Sequence, residues 1–300
     1  MEINNIMVAG SGVLGSQIAF QSAVHGFGVH VYDINEVAIE AAKERFDVLK
    51  ERYKADLGLT DEVLNEAYNR IVFFTSIEEA VGEVQLVIEA VPELLDIKQK
   101  FYEELSENAS DEVIFASNSS TLIPSQIKQF VKKPERYVHL HFANEIWKFN
   151  IAEIMKHEGT EEFVFDRTIE FAKEIGMVPI PIYKEQPGYV LNSLLVPFLN
   201  SAQYMVVNGV ADPHTIDKTW MISTGAPMGP FAILDIVGIN TPYNLSKAAA
   251  AAGDKEAEKI AAFLKENFID KNKLGVQSGA GFYTYPNPAY KETKSEAKRS

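Results

Sequence analysis

Ile3-Asn4-Asn5-Ile6-Met7-Val8-Ala9-Gly10-Ser11-Gly12-Val13-Leu14-Gly15 decides how the rest of the chain is read. The apolar run from Ile3 to Ala9 has the length and composition of a buried parallel strand, and it ends in glycines. Good helix formers follow from Ser16 to His25 and stop at Gly26, a residue suited to closing a helix. Gly28-Val29-His30-Val31-Tyr32-Asp33 then reads as a second strand that ends in an acid. Together they make one strand–helix–strand unit within the first 33 residues.

In Gly10-x-Gly12-x-x-Gly15 each glycine has its own task. The first permits the tight turn, the second lets backbone approach a pyrophosphate, and the third lets the helix pack on the strand. The helix that begins after this turn, in which Val13 and Leu14 lie, offers free N–H groups and a positive dipole end to phosphate. Asp33 lies 18 residues beyond Gly15, where an acid hydrogen-bonds the adenine ribose and repels a 2′-phosphate. NAD is therefore expected over NADP. FAD uses the same fingerprint and is the competing cofactor, and a glycine-rich turn without a ligand is the plain structural alternative.

Outward from this unit, Asn35 and Thr60 read as N-caps of two helices, one reaching about Leu57 and one opening at Asp61. Further strands are expected at Ile71–Phe74, Leu86–Ala90, Val113–Ser117 and Tyr137–Phe142, with Lys98–Leu105 helical. Val178–Ile182, carrying Pro179 and Pro181, fits a sheet edge. After Gln186-Pro187-Gly188 the strand signals stop, and Val190–Val207, Ala248–Ala252 and Glu256–Phe268 read as helices. The fold expected is an α/β Rossmann domain with a mostly parallel sheet over residues 1–184, followed by an all-α domain over 185–300. Lys291–Ser300 reads as a frayed polar tail.

Composition narrows the function. The 42 acidic against 28 basic residues, a net charge of −14, argue against nucleic acid as a partner. The absence of cysteine removes disulfides, thiol nucleophiles and Cys-ligated zinc. The opening residues lack a signal-peptide pattern and no apolar run is long enough to cross a bilayer, so a cytoplasmic location with no membrane partner is expected.

Later motifs come in a telling order: Ile88-Glu89-Ala90-Val91-Pro92-Glu93 with Lys98, Phe115-Ala116-Ser117-Asn118-Ser119-Ser120, and His139-Leu140-His141-Phe142-x-Asn144. Pro187-Gly188-Tyr189-Val190-Leu191-Asn192, Pro227-Met228-Gly229-Pro230 and Gly279-x-Gly281-Phe282-Tyr283 follow. This succession resembles the 3-hydroxyacyl-CoA dehydrogenase family across nearly the whole chain. The resemblance implies His141 as general base, Glu153 as its partner, and Ser120 and Asn192 at the substrate near the reacting carbon. It places Ala90, Glu93, Lys98, Ser120 and Asn144 around the nicotinamide half of NAD. It also implies a homodimer through the C-terminal helices.

The residue types suit that chemistry. Oxidising a secondary alcohol needs a base near neutrality, a hydride acceptor and a group that fixes the substrate oxygen. Taken singly, His141 reads as a structural histidine, Glu153 as a surface acid, Ser120 as a turn residue and Asn192 as a helix polar group. His139 and His141 share a strand face, but no third ligand is evident, so no metal is expected.

The chain departs from the family's usual Phe-Phe-Asn-Pro with Phe142-Ala143-Asn144-Glu145, then Ile146-Trp147-Lys148. This stretch, with Trp147, is expected near the substrate. Arg52 and Lys54 are the candidates for CoA phosphates, on a mixed-charge helix that otherwise reads as a solvated face. The leading expectation is reversible NAD-dependent oxidation of a short-chain L-3-hydroxyacyl-CoA. A dehydrogenase of a free 3-hydroxy acid, gulonate- or carnitine-like, and a non-catalytic dinucleotide-binding protein are the alternatives.

Overall fold

The computed structural model describes residues 1–292, which divide into two compact units, Met1–Leu191 and Asn192 onward. The first contains β1 (Asn5–Ala9), α1 (Val13–Val24), β2 (Gly28–Tyr32), α2 (Glu36–Leu57), α3 (Asp61–Asn69), β3 (Ile71–Phe74), α4 (Ile77–Val81) and β4 (Leu86–Glu89). It continues with α5 (Leu95–Asn108), β5 (Ile114–Ser117), α6 (Pro124–Ile127), β6 (Tyr137–Phe142), β7 (Ile151–Met155), α7 (Glu162–Glu174) and β8 (Val178–Ile182).

The strands form one sheet in the order β3-β2-β1-β4-β5-β6-β7-β8, parallel throughout except where β7 runs antiparallel to β6. A sheet packed on both faces needs strands that are apolar on both faces, and β4, β5 and β6 are buried along their whole length. The order reverses direction between β1 and β4, so the carboxyl ends of these two strands open a crevice where such sheets bind ligands. The expected caps are present: the Asn35 side chain accepts from the Ala38 N–H at 2.9 Å, and Thr60 Oγ1 accepts from Val63 at 3.4 Å.

β7 carries no strand signal strong enough to have been expected, because Ile151-Ala152-Glu153-Ile154-Met155 places an acid at its centre. That acid is buried, and its position in the ladder is directly opposite His141. The division of the chain after Leu191, rather than at 184, has a local cause. Glu185 accepts from the Ser125 N–H, and the Val190 and Leu191 N–H groups donate to Glu153, so residues 185–191 are bonded into the sheet unit.

The second unit holds α8 (Leu191–Val207, starting at the junction), α9 (Pro213–Thr224), α10 (Pro230–Val237), α11 (Asn240–Ala251) and α12 (Lys255–Asn267) around Phe231, Leu264, Phe282 and Tyr283. Two buried aspartates organise it. Asp217 accepts from the Phe231 and Ala232 N–H groups at the start of α10, and Asp235 accepts from those of Phe282 and Tyr283. A Cβ at Gly229 or Gly281 would fall on these carboxylates, so the glycines of both late motifs make room for the two buried acids. Among the described residues no helix is long and apolar enough to cross a membrane.

Candidate active site

Three side chains from three elements meet beyond the carboxyl end of β5. Ser120 lies in the turn after β5, His141 near the end of β6, and Glu153 at the centre of β7. Ser120 Oγ is 3.1 Å from His141 Nε2, and His141 Nδ1 is 3.1 Å from Glu153 Oε2. A carboxylate only accepts, so Nδ1 carries the proton and Nε2 presents a lone pair toward Ser120. His141 and Glu153 are both buried. Burial would push the Glu153 carboxyl up, but the His141 hydrogen bond and the N–H groups of Leu191 and Val190 hold it below its ordinary range. Glu153 is thus kept as an anion beside the imidazole.

The Ser120 turn is held by Glu93. One oxygen, Oε1, accepts from Ser119 Oγ at 2.5 Å, from the Ser120 and Thr121 N–H groups at 3.0 and 2.9 Å, and from Thr121 Oγ1 at 2.9 Å. Its other oxygen lies 3.1 Å from Lys98 Nζ. Burial pulls the Glu93 carboxyl up, but these donors and the Lys98 ammonium bring it down to about 2. Lys98 is itself buried, 2.6 Å from the fully buried Glu89. Glu89 also accepts from Ser117 Oγ and the Val91 N–H.

Two cavities that share Gly12, Ala90 and Val91 lie at the crevice between β1 and β4. One, of about 530 Å³, is lined by Gly10, Gly12, Asp33, Ile34, Ile97 and Phe101 among others. The other, of about 270 Å³, is lined by Gly12 to Gly15, Glu89, Glu93, Lys98, Asn118 and Ser120. Gly10 has φ +93°, and a Cβ there would strike the Ala90 carbonyl. A Cβ on Gly15 would overlap the Gly10 carbonyl, while nothing lies within 4 Å of one on Gly12. The first and third glycines are therefore required by the fold, and the second leaves open backbone facing the crevice. Asp33 Oδ2 accepts from the Ser11 N–H and Oγ, which anchors the glycine turn to the end of β2.

Residues 5–186 match the model of the 3-hydroxyacyl-CoA dehydrogenase NAD binding domain, and residues 188–285 match that of the family's C-terminal domain. The chain belongs to the 3-hydroxyacyl-CoA dehydrogenase family. It is 32% identical over 286 residues to a probable 3-hydroxybutyryl-CoA dehydrogenase of Bacillus subtilis (strain 168), covering 95% of this chain and 98% of that one. It is 29% identical over 288 residues to the mitochondrial hydroxyacyl-coenzyme A dehydrogenase of Homo sapiens, covering 94% and 91%. Among solved structures, a diketoreductase described for substrate-directed dual catalysis of dicarbonyl compounds is 50% identical, with a TM-score of 0.91, covering 95% of this chain and 100% of that one.

Membership in this family makes the protein an NAD-dependent oxidoreductase, and the crevice fits that cofactor. Open backbone at Gly12, the unpaired first amides of α1 and an acid at the end of β2 are the donor and acceptor set a dinucleotide requires.

Of the residues that depart from the family pattern, Glu145, Trp147 and Lys148 are bonded to α2. Trp147 is buried, 5.0 Å from the Tyr53 ring, and its Nε1–H donates to Asp56 Oδ2 at 2.9 Å. Lys148 pairs with the same Asp56 at 2.8 Å, and Glu145 with Arg52 at 3.0 Å. The stretch 145–148 is thus riveted to α2. Lys54 contacts both oxygens of Asp61 at 2.7 Å. Asn144 is exposed in the loop after β6. Asn192 stands in the first turn of α8, as the first residue of the second unit.

Sequence reasoning singled out no role for Glu89, Ser119, His139 or Tyr189. His139, two positions before His141, has Tyr189 Oη at 2.8 Å from Nδ1 and Tyr137 Oη at 2.9 Å from Nε2. The only advance signal was that a strand places both histidines on one face.

Proposed function

We propose that the protein interconverts a 3-hydroxy and a 3-oxo compound, with His141 as the base. The observation that carries this reading is the chain of contacts Ser120 Oγ–His141 Nε2 and His141 Nδ1–Glu153 Oε2, each 3.1 Å. The lone pair of Nε2 takes the substrate hydroxyl proton. Anionic Glu153 fixes the tautomer before the transfer and stabilises the imidazolium after it. Ser120 orients the substrate oxygen, and the reverse reaction returns the proton from His141 to the forming alkoxide. NAD, when bound, supplies the hydride acceptor. Gly10, Gly12, Val13, Leu14 and Gly15 hold its pyrophosphate, Asp33 its adenine ribose, and Ala90, Glu93, Lys98, Ser120 and Asn144 surround its nicotinamide half.

The substrate in this reading is a short-chain L-3-hydroxyacyl-CoA, as the names of the Bacillus subtilis and human relatives support. A second reading, a 3-hydroxy or 3-oxo compound without CoA, is favoured by one observation. The two candidates for CoA phosphates, Arg52 and Lys54, are already paired with Glu145 and Asp61. Similarity to a diketoreductase supports the same reading. The test is NADH oxidation with acetoacetyl-CoA and with free 3-oxo acids and diketones. A higher kcat/KM for the CoA ester upholds the first reading, and a higher value for the free compounds replaces it with the second. In the same assay His141→Gln should lose nearly all turnover while binding NADH as the parent does, and an active variant would sink the assignment of the base. A homodimer through the helical unit belongs to the same family reading and is tested by sedimentation.

A further inference from the structure

The base does not stand alone in its plane. The ring of Tyr189 lies nearly parallel to that of His141, 4.4 Å between centroids and 15° between planes. Tyr189 is fully buried, yet its backbone φ is +56°, a conformation that bulky side chains rarely adopt. Something must hold it there. Its hydroxyl donates to the Ser119 carbonyl at 2.6 Å and meets His139 Nδ1 at 2.8 Å.

These partners fix the direction of every proton. A carbonyl only accepts, so the single Tyr189 hydroxyl proton goes to Ser119, and His139 Nδ1–H must donate to the Tyr189 oxygen. His139 Nε2 then accepts from the Tyr137 hydroxyl at 2.9 Å. Burial keeps His139 neutral by pushing its pKa well below the ordinary value, and the Lys98 ammonium adds to this. Burial also pushes Tyr189 well above its ordinary value, so the hydroxyl stays protonated. The result is a one-way relay from Tyr137 through His139 and Tyr189 to the carbonyl beside Ser120.

We propose that Tyr189, locked by His139, is a positioning residue that holds the His141 ring and the Ser119–Ser120 turn in register with each other. The proposal rests on the reading of His141 as the base. Tyr189 reaches both halves of the pair, His141 through its ring face and Ser120 through the neighbouring carbonyl. His139 fastens it to the strand that carries His141. A misplacement of even about 1 Å in such a pair can lower turnover by up to about a hundredfold.

The test compares the parent with Tyr189→Phe, the double variant Tyr189→Phe/His139→Phe, and His141→Gln, measuring kcat, KM, NADH affinity by fluorescence and Tm. Tyr189→Phe keeps the stacked ring and deletes the tie, and should lose about tenfold in kcat with NADH affinity within twofold of the parent. It should also lower Tm, because His139 Nδ1–H and the Ser119 carbonyl lose their partner. The double variant removes the orphaned imidazole, so its Tm should recover in part, short of the parent because the Tyr137 hydroxyl and the Ser119 carbonyl stay unpaired, while its kcat stays low. Recovery of kcat together with Tm would mean the tie serves stability alone, and a Tyr189→Phe variant with kcat within twofold of the parent would overturn the proposal outright. An active His141→Gln would instead overturn the reading beneath it, which separates the two failures.

Discussion

His141 and Glu153 are direct partners across the antiparallel pairing of β6 with β7, and their side chains meet at 3.1 Å between Nδ1 and Oε2. Directly opposite positions in such a ladder bring Cβ atoms to about 5 Å, so the sheet itself sets the distance between imidazole and carboxylate. The second carboxylate oxygen is taken by two backbone N–H groups, from Val190 and Leu191, each at 2.9 Å. Neither group has room to swing away.

Glu153→Gln preserves the shape of that contact and removes its charge. In the proposed reaction the imidazolium then has no counter-ion, and an amide can present either an acceptor or a donor to Nδ1. Turnover should fall by about 10²–10⁴-fold with little change in NADH affinity, since the change acts on the proton-transfer step. Steady-state kinetics with a fluorescence titration would check it, and a fall in affinity alone would refute it.

Glu93 links pH to stability. Its carboxyl is held at about 2 in the folded chain against an ordinary value of 4.5, so its contribution is fully present above about pH 4.5. That contribution fades as pH falls from about 4.5 toward 2. The difference in urea midpoint between the parent and Glu93→Gln should therefore be largest above pH 4.5 and shrink below it. A difference that stays constant down to pH 3 would contradict the arrangement.

Asp33 should govern the choice of dinucleotide. Asp33→Ser keeps an acceptor for the Ser11 N–H and removes the negative charge that repels a 2′-phosphate. The ratio of NADPH to NADH affinity should rise at least about tenfold. An unchanged ratio in paired titrations would show that Asp33 serves the glycine turn alone.

Trp147 is buried against Tyr53 and bonded to Asp56, so its loss should be felt first in stability. Trp147→Ala should cost about 3–5 kcal/mol in urea unfolding, through the lost packing on Tyr53 and a cavity between the loop and α2. Trp147→Phe, which loses the Asp56 hydrogen bond but keeps a ring, should cost about 1–2 kcal/mol. A Trp147→Ala variant of parental stability with an altered substrate range would reverse this view.

Local chemistry carried much of the reading. The glycine turn, the acid at the end of β2, the caps at Asn35 and Thr60 and the prolines of the edge strand β8 are each specified within a few residues, because backbone sterics and short-range hydrogen bonds act over that span. The order of motifs pointed to the family without any structure. What could not be read that way is every feature whose partner comes from a distant segment. Glu153 reads as a surface acid until β7 pairs with β6, and the partners of Lys98 stay hidden until Glu89 and Glu93 close on it. The contacts of Trp147 with Asp56 and of Arg52 with Glu145 exist only once α2 and the loop after β6 are brought together. Tyr189 shows nothing unusual until its ring lies on His141. A side chain's charge and hydrogen-bonding capacity are written at its own position, but whether they are spent within the protein or left for a ligand depends on what folding places beside it.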